Sequence, residues 1–156
     1  MSAFRAVRSL PFLCLAALAA CSVERRVPTS DTTTAAIGPD GEPVGPWLRS
    51  AAVGEMSAAY FTVPNAGPDT LRITGVEVDA AESASLHRTV DSAGAIRMVG
   101  IDTLAIAPGD SAVLAPRGLH VMLHGMRVPA TPGDTIVIRL FSSRADTITV
   151  RAAVRP

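Results

Sequence analysis

Apolar residues in this chain come in short runs with a period of two, and proline or glycine stops almost every run. Ala58 to Val63 ends at Pro64-Asn65-Ala66-Gly67-Pro68. Thr70 to Val78 alternates through Leu71, Ile73, Val76 and Val78 across a kink at Gly75. Ser85 to Ile101 has the form of a hairpin turning at Asp91-Ser92-Ala93-Gly94. Pro108-Gly109-Asp110 leads into Ser111 to Ala115, and Pro132-Gly133-Asp134 into Thr135 to Phe141, with Ile136, Ile138 and Leu140 on one face. Thr147 to Val154 closes the chain with Ile148 and Val150 inward. No segment holds a 3.6-residue period. Short strands with this punctuation predict an all-β fold, an antiparallel sandwich or barrel beginning near Trp47.

The first residues follow a different rule. Arg5 and Arg8 precede an apolar stretch from Leu10 to Ala20, too short to span a membrane as a helix. It ends in Leu18-Ala19-Ala20-Cys21, which resembles the lipobox of bacterial lipoproteins; the competing reading is an ordinary signal peptide with a chance cysteine. The expected organisation is a lipoprotein signal peptide over 1–20, a lipidated Cys21 with a Thr/Pro/Gly-rich tether to residue 46, and a globular domain over 47–156. A tether of this composition reaches roughly 25 Å. Processing would discard Cys14 and leave no free thiol, so a metal site in the domain has to be built from His, Met and carboxylates.

The stretch Gly118-Leu119-His120-Val121-Met122-Leu123-His124-Gly125-Met126 carries the chemistry. As a strand it places His120, Met122, His124 and Met126 on one face and Leu119, Val121 and Leu123 on the other. Imidazole and thioether both donate lone pairs to a soft ion, and thioether sulfur selects Cu(I). Methionine as core filler and histidine as a half-buried polar group are the structural alternative. The Ser85–Ile101 hairpin adds a second pair. If its turn centres between Ser92 and Ala93, His87 faces Met98 and Arg88 faces Arg97, with directly opposed Cβ atoms about 5 Å apart. Two imidazoles and two thioethers make a shell suited to Cu(I), where zinc would take thiolate or carboxylate.

His87, ten residues, Met98, twenty-one residues, His120, one residue, Met122: this spacing resembles that of the PCuAC-type periplasmic copper chaperones. The resemblance runs from about Trp47 to Val154. It includes Trp47-Leu48-Arg49, Ala59-Tyr60-Phe61-Thr62 with Asn65 and Gly67, Leu86-His87, Ile106-Ala107-Pro108-Gly109, Leu114-Ala115-Pro116 and Gly133-Asp134. It implies a cupredoxin-like Greek-key β-sandwich and a Cu(I) site of His87, Met98, His120 and Met122. It also implies a role in metallating the dinuclear copper centre of cytochrome c oxidase, with the oxidase's copper-bearing subunit or another copper-transfer protein as partner. Three departures stand out. Arg88 replaces a methionine often found after the first histidine, no Met/His-rich tail follows Val154, and the lipobox makes this a membrane-anchored, extracytoplasmic form. His124 is a possible accessory ligand, and Met126 is assigned to packing.

Other classes fit less well. All 14 basic residues are arginine and are scattered against 14 acids, so nucleic acid is not an expected partner. Gly109-Asp110-Ser111 sits in a turn and a strand start, and no Gly-x-Ser-x-Gly elbow occurs, so the chain is not expected to be an enzyme. A blue-copper carrier needs a cysteine thiolate that the processed chain would lack. A copper-sequestering surface lipoprotein and a metal-free β-sandwich module are the remaining alternatives.

Overall fold

The computed structural model describes residues 45–92 and 94–156, together with the backbone of three two-residue strands before them. The expected signal peptide, Cys21 and most of the 21–46 tether lie outside the described residues. The elements are β1 Ser30–Asp31, β2 Ala36–Ile37, β3 Pro43–Val44, β4 Trp47–Arg49, β5 Ser57–Tyr60, β6 Thr62–Pro64 and β7 Leu71–Glu77. They continue with β8 Ala81–Ser92, β9 Ala95–Ile101, β10 Leu104–Ile106, β11 Ser111–Val113, β12 Leu119–Met126, β13 Thr135–Ser142 and β14 Thr147–Arg155.

The long strands pair in the order β10-β7-β13-β14-β4-β5-β12-β8-β9. This sheet folds over at β4, so β10-β7-β13-β14 faces β5-β12-β8-β9. Leu71, Ile73, Ile138, Leu140 and Val150 from one layer and Ala59, Leu86, Val121 and Leu123 from the other form one buried cluster. The chain crosses between layers, from β7 to β8 and from β12 to β13, giving the expected cupredoxin-like Greek-key sandwich. It is not purely antiparallel: β14 pairs in parallel with both β4 and β1. The expected faces are present. Leu71, Ile73 and Val78 are buried across the kink, as are Ile138 and Leu140, with Ile136 partly covered.

The hairpin register differs from expectation. Ser92 pairs with Ala95, so Thr89 faces Met98 and His87 faces Gly100. Gly94, at φ 81°, explains the shift. Positive φ is a turn conformation that glycine adopts without a Cβ penalty. Gly94 is therefore a loop residue, not half of a pair, and the side chain of Asp91 accepts a hydrogen bond from its N–H at 3.0 Å. Moving the turn by one residue moves the register by two. Parity is kept, so Met98 stays on the face of His87 but lies diagonal to it. Arg88 now faces Val99 and Val90 faces Arg97. The expected arginine opposition does not form, and both arginines project from the face opposite the histidines.

Asn65 pins the end of the sandwich together. Its buried side-chain amide donates to the carbonyls of Asp69, Ile106 and Ala107 at 2.8, 2.9 and 3.1 Å, and its Oδ1 accepts from Gly67 N–H at 3.2 Å. Its own backbone accepts from Gly109 and donates to Asp110. Asn65→Ala strips these partners from buried carbonyls, so it should cost about 2–3 kcal/mol and lower the thermal midpoint by roughly 10 °C. A midpoint unchanged by circular dichroism would overturn this account.

Candidate metal centre

Strands β5, β12, β8 and β9 lie side by side, and their register puts one set of side chains on a single face. In β12 pairing with β8, His120 stands directly opposite His87, Met122 opposite Ser85 and His124 opposite Ser83. On the other flank Met122 faces Ala58. Met98 joins from β9, one step beyond the Gly100 that faces His87. Diagonal neighbours across a ladder are about 7–8 Å apart, within reach of a methionine side chain. Gly100 places nothing opposite His87, and the space where its Cβ would stand is open. Met98, His120 and Met122 line a common cavity of about 350 Å³ with Tyr60, Arg49 and Arg117.

The two imidazoles are oriented by hydrogen bonds that leave one nitrogen bare on each. His120 is only 2% exposed. Its Nδ1 lies 3.1 Å from the carbonyl of Gly118, which can only accept, so Nδ1 carries the proton and Nε2 the lone pair. His87 Nε2 lies 2.9 Å from Ser85 Oγ, and the same hydroxyl is 3.3 Å from His124 Nε2. If His87 donates to Ser85 and Ser85 donates to His124, His87 keeps a lone pair at Nδ1; the reverse direction would bury an unpaired N–H. His87 Nδ1 and His120 Nε2 are both buried without a hydrogen-bond partner. The ring centroids are 5.9 Å apart. Buried ring nitrogens without a partner are costly in a protein interior, and an ordered water or a bound cation supplies what they lack.

Electrostatics favours a neutral His87 ring. Burial, with the neighbouring His120 and His124 as secondary causes, pulls His87 below the ordinary imidazole value of 6.5. Burial also pushes the Tyr60 phenol up, against the opposing pull of Arg49. Tyr60 therefore remains a protonated wall between Trp47, 4.6 Å away by ring centroid, and His120, 6.5 Å away. Among the described residues no three of His, Cys, Asp and Glu converge to hold an ion. The thioethers of Met98 and Met122 are the further donors beside His120.

The expected donors separate into three groups. His87, His120 and Met122 share the inner strands, and Met98 reaches the cavity from the edge strand, 57% exposed. His124 touches the set through Ser85. Met126 is 1% exposed and belongs to the core. Gly125 separates it from the alternation, because its φ of 59° interrupts the extended backbone. Sequence reasoning missed Ser85, which only the β8–β12 register brings between two histidines. It also missed Met56, a lone methionine outside any periodic run. The cations at the cavity are Arg49 and Arg117.

The LpqE-like family model matches residues 44–154, most of the chain and all of the sandwich. The chain belongs to the LpqE-like lipoprotein family. A relative named as a lipoprotein, Lxx21020 of Leifsonia xyli subsp. xyli, is 36% identical over 110 residues, covering 70% of this chain and 66% of that protein. The chain spans less than two thirds of the length of the curated relatives it matches. Among solved structures, the copper-bound PCuAC domain from PmoF2 is 27% identical with a TM-score of 0.58, over 70% of this chain and 87% of that one. The solution structure of CuI-DR1885 from Deinococcus radiodurans is 30% identical with a TM-score of 0.52, over 70% and 76%. This LpqE-like chain thus shares the PCuAC fold, as the ligand spacing implied.

The His87 shift has a testable sign. Below about 6.5 an unfolded chain protonates this ring while the folded one resists, so the folded state binds fewer protons and loses stability as pH falls. Above that value both states carry a neutral ring and the penalty is absent. In the metal-free protein, an NMR titration should place the His87 midpoint below 6.5. A midpoint at or above it would contradict the burial argument.

Proposed function

We propose that this chain is an extracytoplasmic Cu(I) metallochaperone, held at a membrane by lipid on Cys21, that passes its ion to a thiolate-bearing acceptor. The observation that carries the reading is the pair of buried, partnerless nitrogens on His87 Nδ1 and His120 Nε2, with His120 lining one cavity with two thioethers. His87, Met98, His120 and Met122 are the ligands in this reading. Soft sulfur and neutral imidazole favour Cu(I), while Cu(II) prefers nitrogen and oxygen in a tetragonal array. Support also comes from the relatives of the same fold, a copper-bound PCuAC domain and CuI-DR1885.

The protein's own contribution is orientation and exclusion. The Gly118 carbonyl, which only accepts, sets the His120 tautomer that leaves Nε2 as the donor, and the Ser85 hydroxyl orients the His87 ring. Tyr60 closes the inner side of the cavity, and exposed Met98 leaves the outer side reachable. No thiolate takes part, so the ion passes downhill to an acceptor that has thiolates. The copper-bearing subunit of cytochrome c oxidase, with its cysteine-bridged centre, is the acceptor this chemistry fits. Catalysis is not part of the reading: in Gly109-Asp110-Ser111, the Asp110 carboxylate accepts from the Ser111 backbone N–H at 2.7 Å, a turn contact.

Replacing Met98 and Met122 together by leucine conserves volume, at less than about 1.5 kcal/mol per site. The double variant should stay folded and lose Cu(I) binding by at least roughly a hundredfold, measured by chelator competition. One-to-one binding at native affinity in that variant would remove these residues from the site. Direction is tested separately. Loaded with Cu(I) and mixed with a reduced soluble oxidase copper domain, the protein should give up its ion; retention at equilibrium would favour sequestration.

A further inference from the structure

Met56 has no structural reason to be where it is. It is 65% exposed, among the most exposed large apolar side chains described, yet it lines the same cavity as Met98, His120 and Met122. Its place is fixed by register. Ala58 faces Met122 and Ser57 faces Leu123 in the β5–β12 ladder, so Met56, two residues before Ala58, continues the site face as β5 begins. The backbone there is anchored. Glu55 carbonyl accepts from Met126 N–H at 3.0 Å, Gly54 N–H donates to the Met126 carbonyl at 2.8 Å, and the Glu55 carboxylate accepts from Ala52 N–H at 2.9 Å. A flexible thioether on a fixed stem beside two other thioethers is suited to a soft cation and poorly suited to water.

Resting on the copper reading above, we propose that Met56 is a third thioether of the site, binding Cu(I) at the cavity mouth together with Met98. The buried imidazoles hold the inner side of the ion, and Met56 and Met98 supply sulfur on the side open to solvent. The mouth then offers the ion a donor on each of two separate strands, β9 and the start of β5. Binding requires no proton transfer or redox change, because a thioether is neutral and already unprotonated.

The test uses the full chain in detergent micelles, carrying 13C-methyl methionine and titrated anaerobically with Cu(I) alone. The methyl resonances of Met98, Met122 and Met56 should all move, saturating together at one equivalent, while Met126, packed in the core, stays in place. The variant Met56→Leu should still bind one equivalent, with affinity reduced about tenfold, the effect of one modest donor. Movement of Met98 and Met122 with Met56 unmoved and native affinity in Met56→Leu overturns the proposal and leaves the copper site standing. No movement at any of the three, with no binding, overturns the copper reading and this inference with it.

Discussion

Everything at the candidate site depends on the pairing of β8 with β12. That ladder runs without a gap from Leu119 opposite Arg88 to His124 opposite Ser83, resumes past Gly125 at Met126 opposite Ala81, and sets His87 against His120. The same register sends Val121, Leu123 and Leu86 to the opposite face, where they are fully or nearly fully buried in the sandwich core. A slip of one residue would exchange the two faces, sending imidazoles into the core and aliphatics into the cavity. The core therefore enforces the metal geometry. Burial of three aliphatic side chains, worth roughly 1.5–3 kcal/mol each, holds the two rings side by side across the ladder.

Much of this was legible because it depends on parity. A strand's alternation places residues on faces without reference to any partner, so His120, Met122 and the opposing aliphatics could be read from the chain alone. The all-β architecture followed similarly, since Pro and Gly mark turns by local backbone chemistry. Met98 survived an error in the hairpin for the same reason: a turn misplaced by one residue shifts the pairing by two, and faces are unchanged. What parity cannot supply is the identity of the direct neighbour. Met98 stands opposite Thr89, not His87, because positive φ at Gly94 decides which residues form the loop. The alternation rule itself fails at Gly125, where a left-handed backbone lets Met126 leave the histidine face for the core.

The features that were not legible are those made by contact between distant segments. Ser85 is an ordinary strand serine until β12 delivers His124 to within 3.3 Å of its hydroxyl. Arg49 and Arg117 are far apart in the chain and both line the cavity, whereas Arg88 and Arg97, neighbours in the hairpin, are not among its lining residues. Asn65 lay between two turns with nothing in its surroundings to mark it as buried. Two of its four side-chain hydrogen bonds, to the Ile106 and Ala107 carbonyls, join loops about forty residues apart in the chain. Such cross-links carry no periodic signature, and only folding brings their partners together.

The position of β9 at the end of the sheet order gives the site an uneven mechanical character. His87, His120 and Met122 sit on strands with a neighbour on each side, but β9 is bonded only through β8, and its side chains are almost all exposed. Edge strands open at a smaller free-energy cost than interior ones. One ligand of the proposed shell thus rides on the element that peels away most readily, while three stay fixed to the core. Local fraying of a single hairpin arm can loosen the grip on an ion without unfolding anything that shapes the rest of the site.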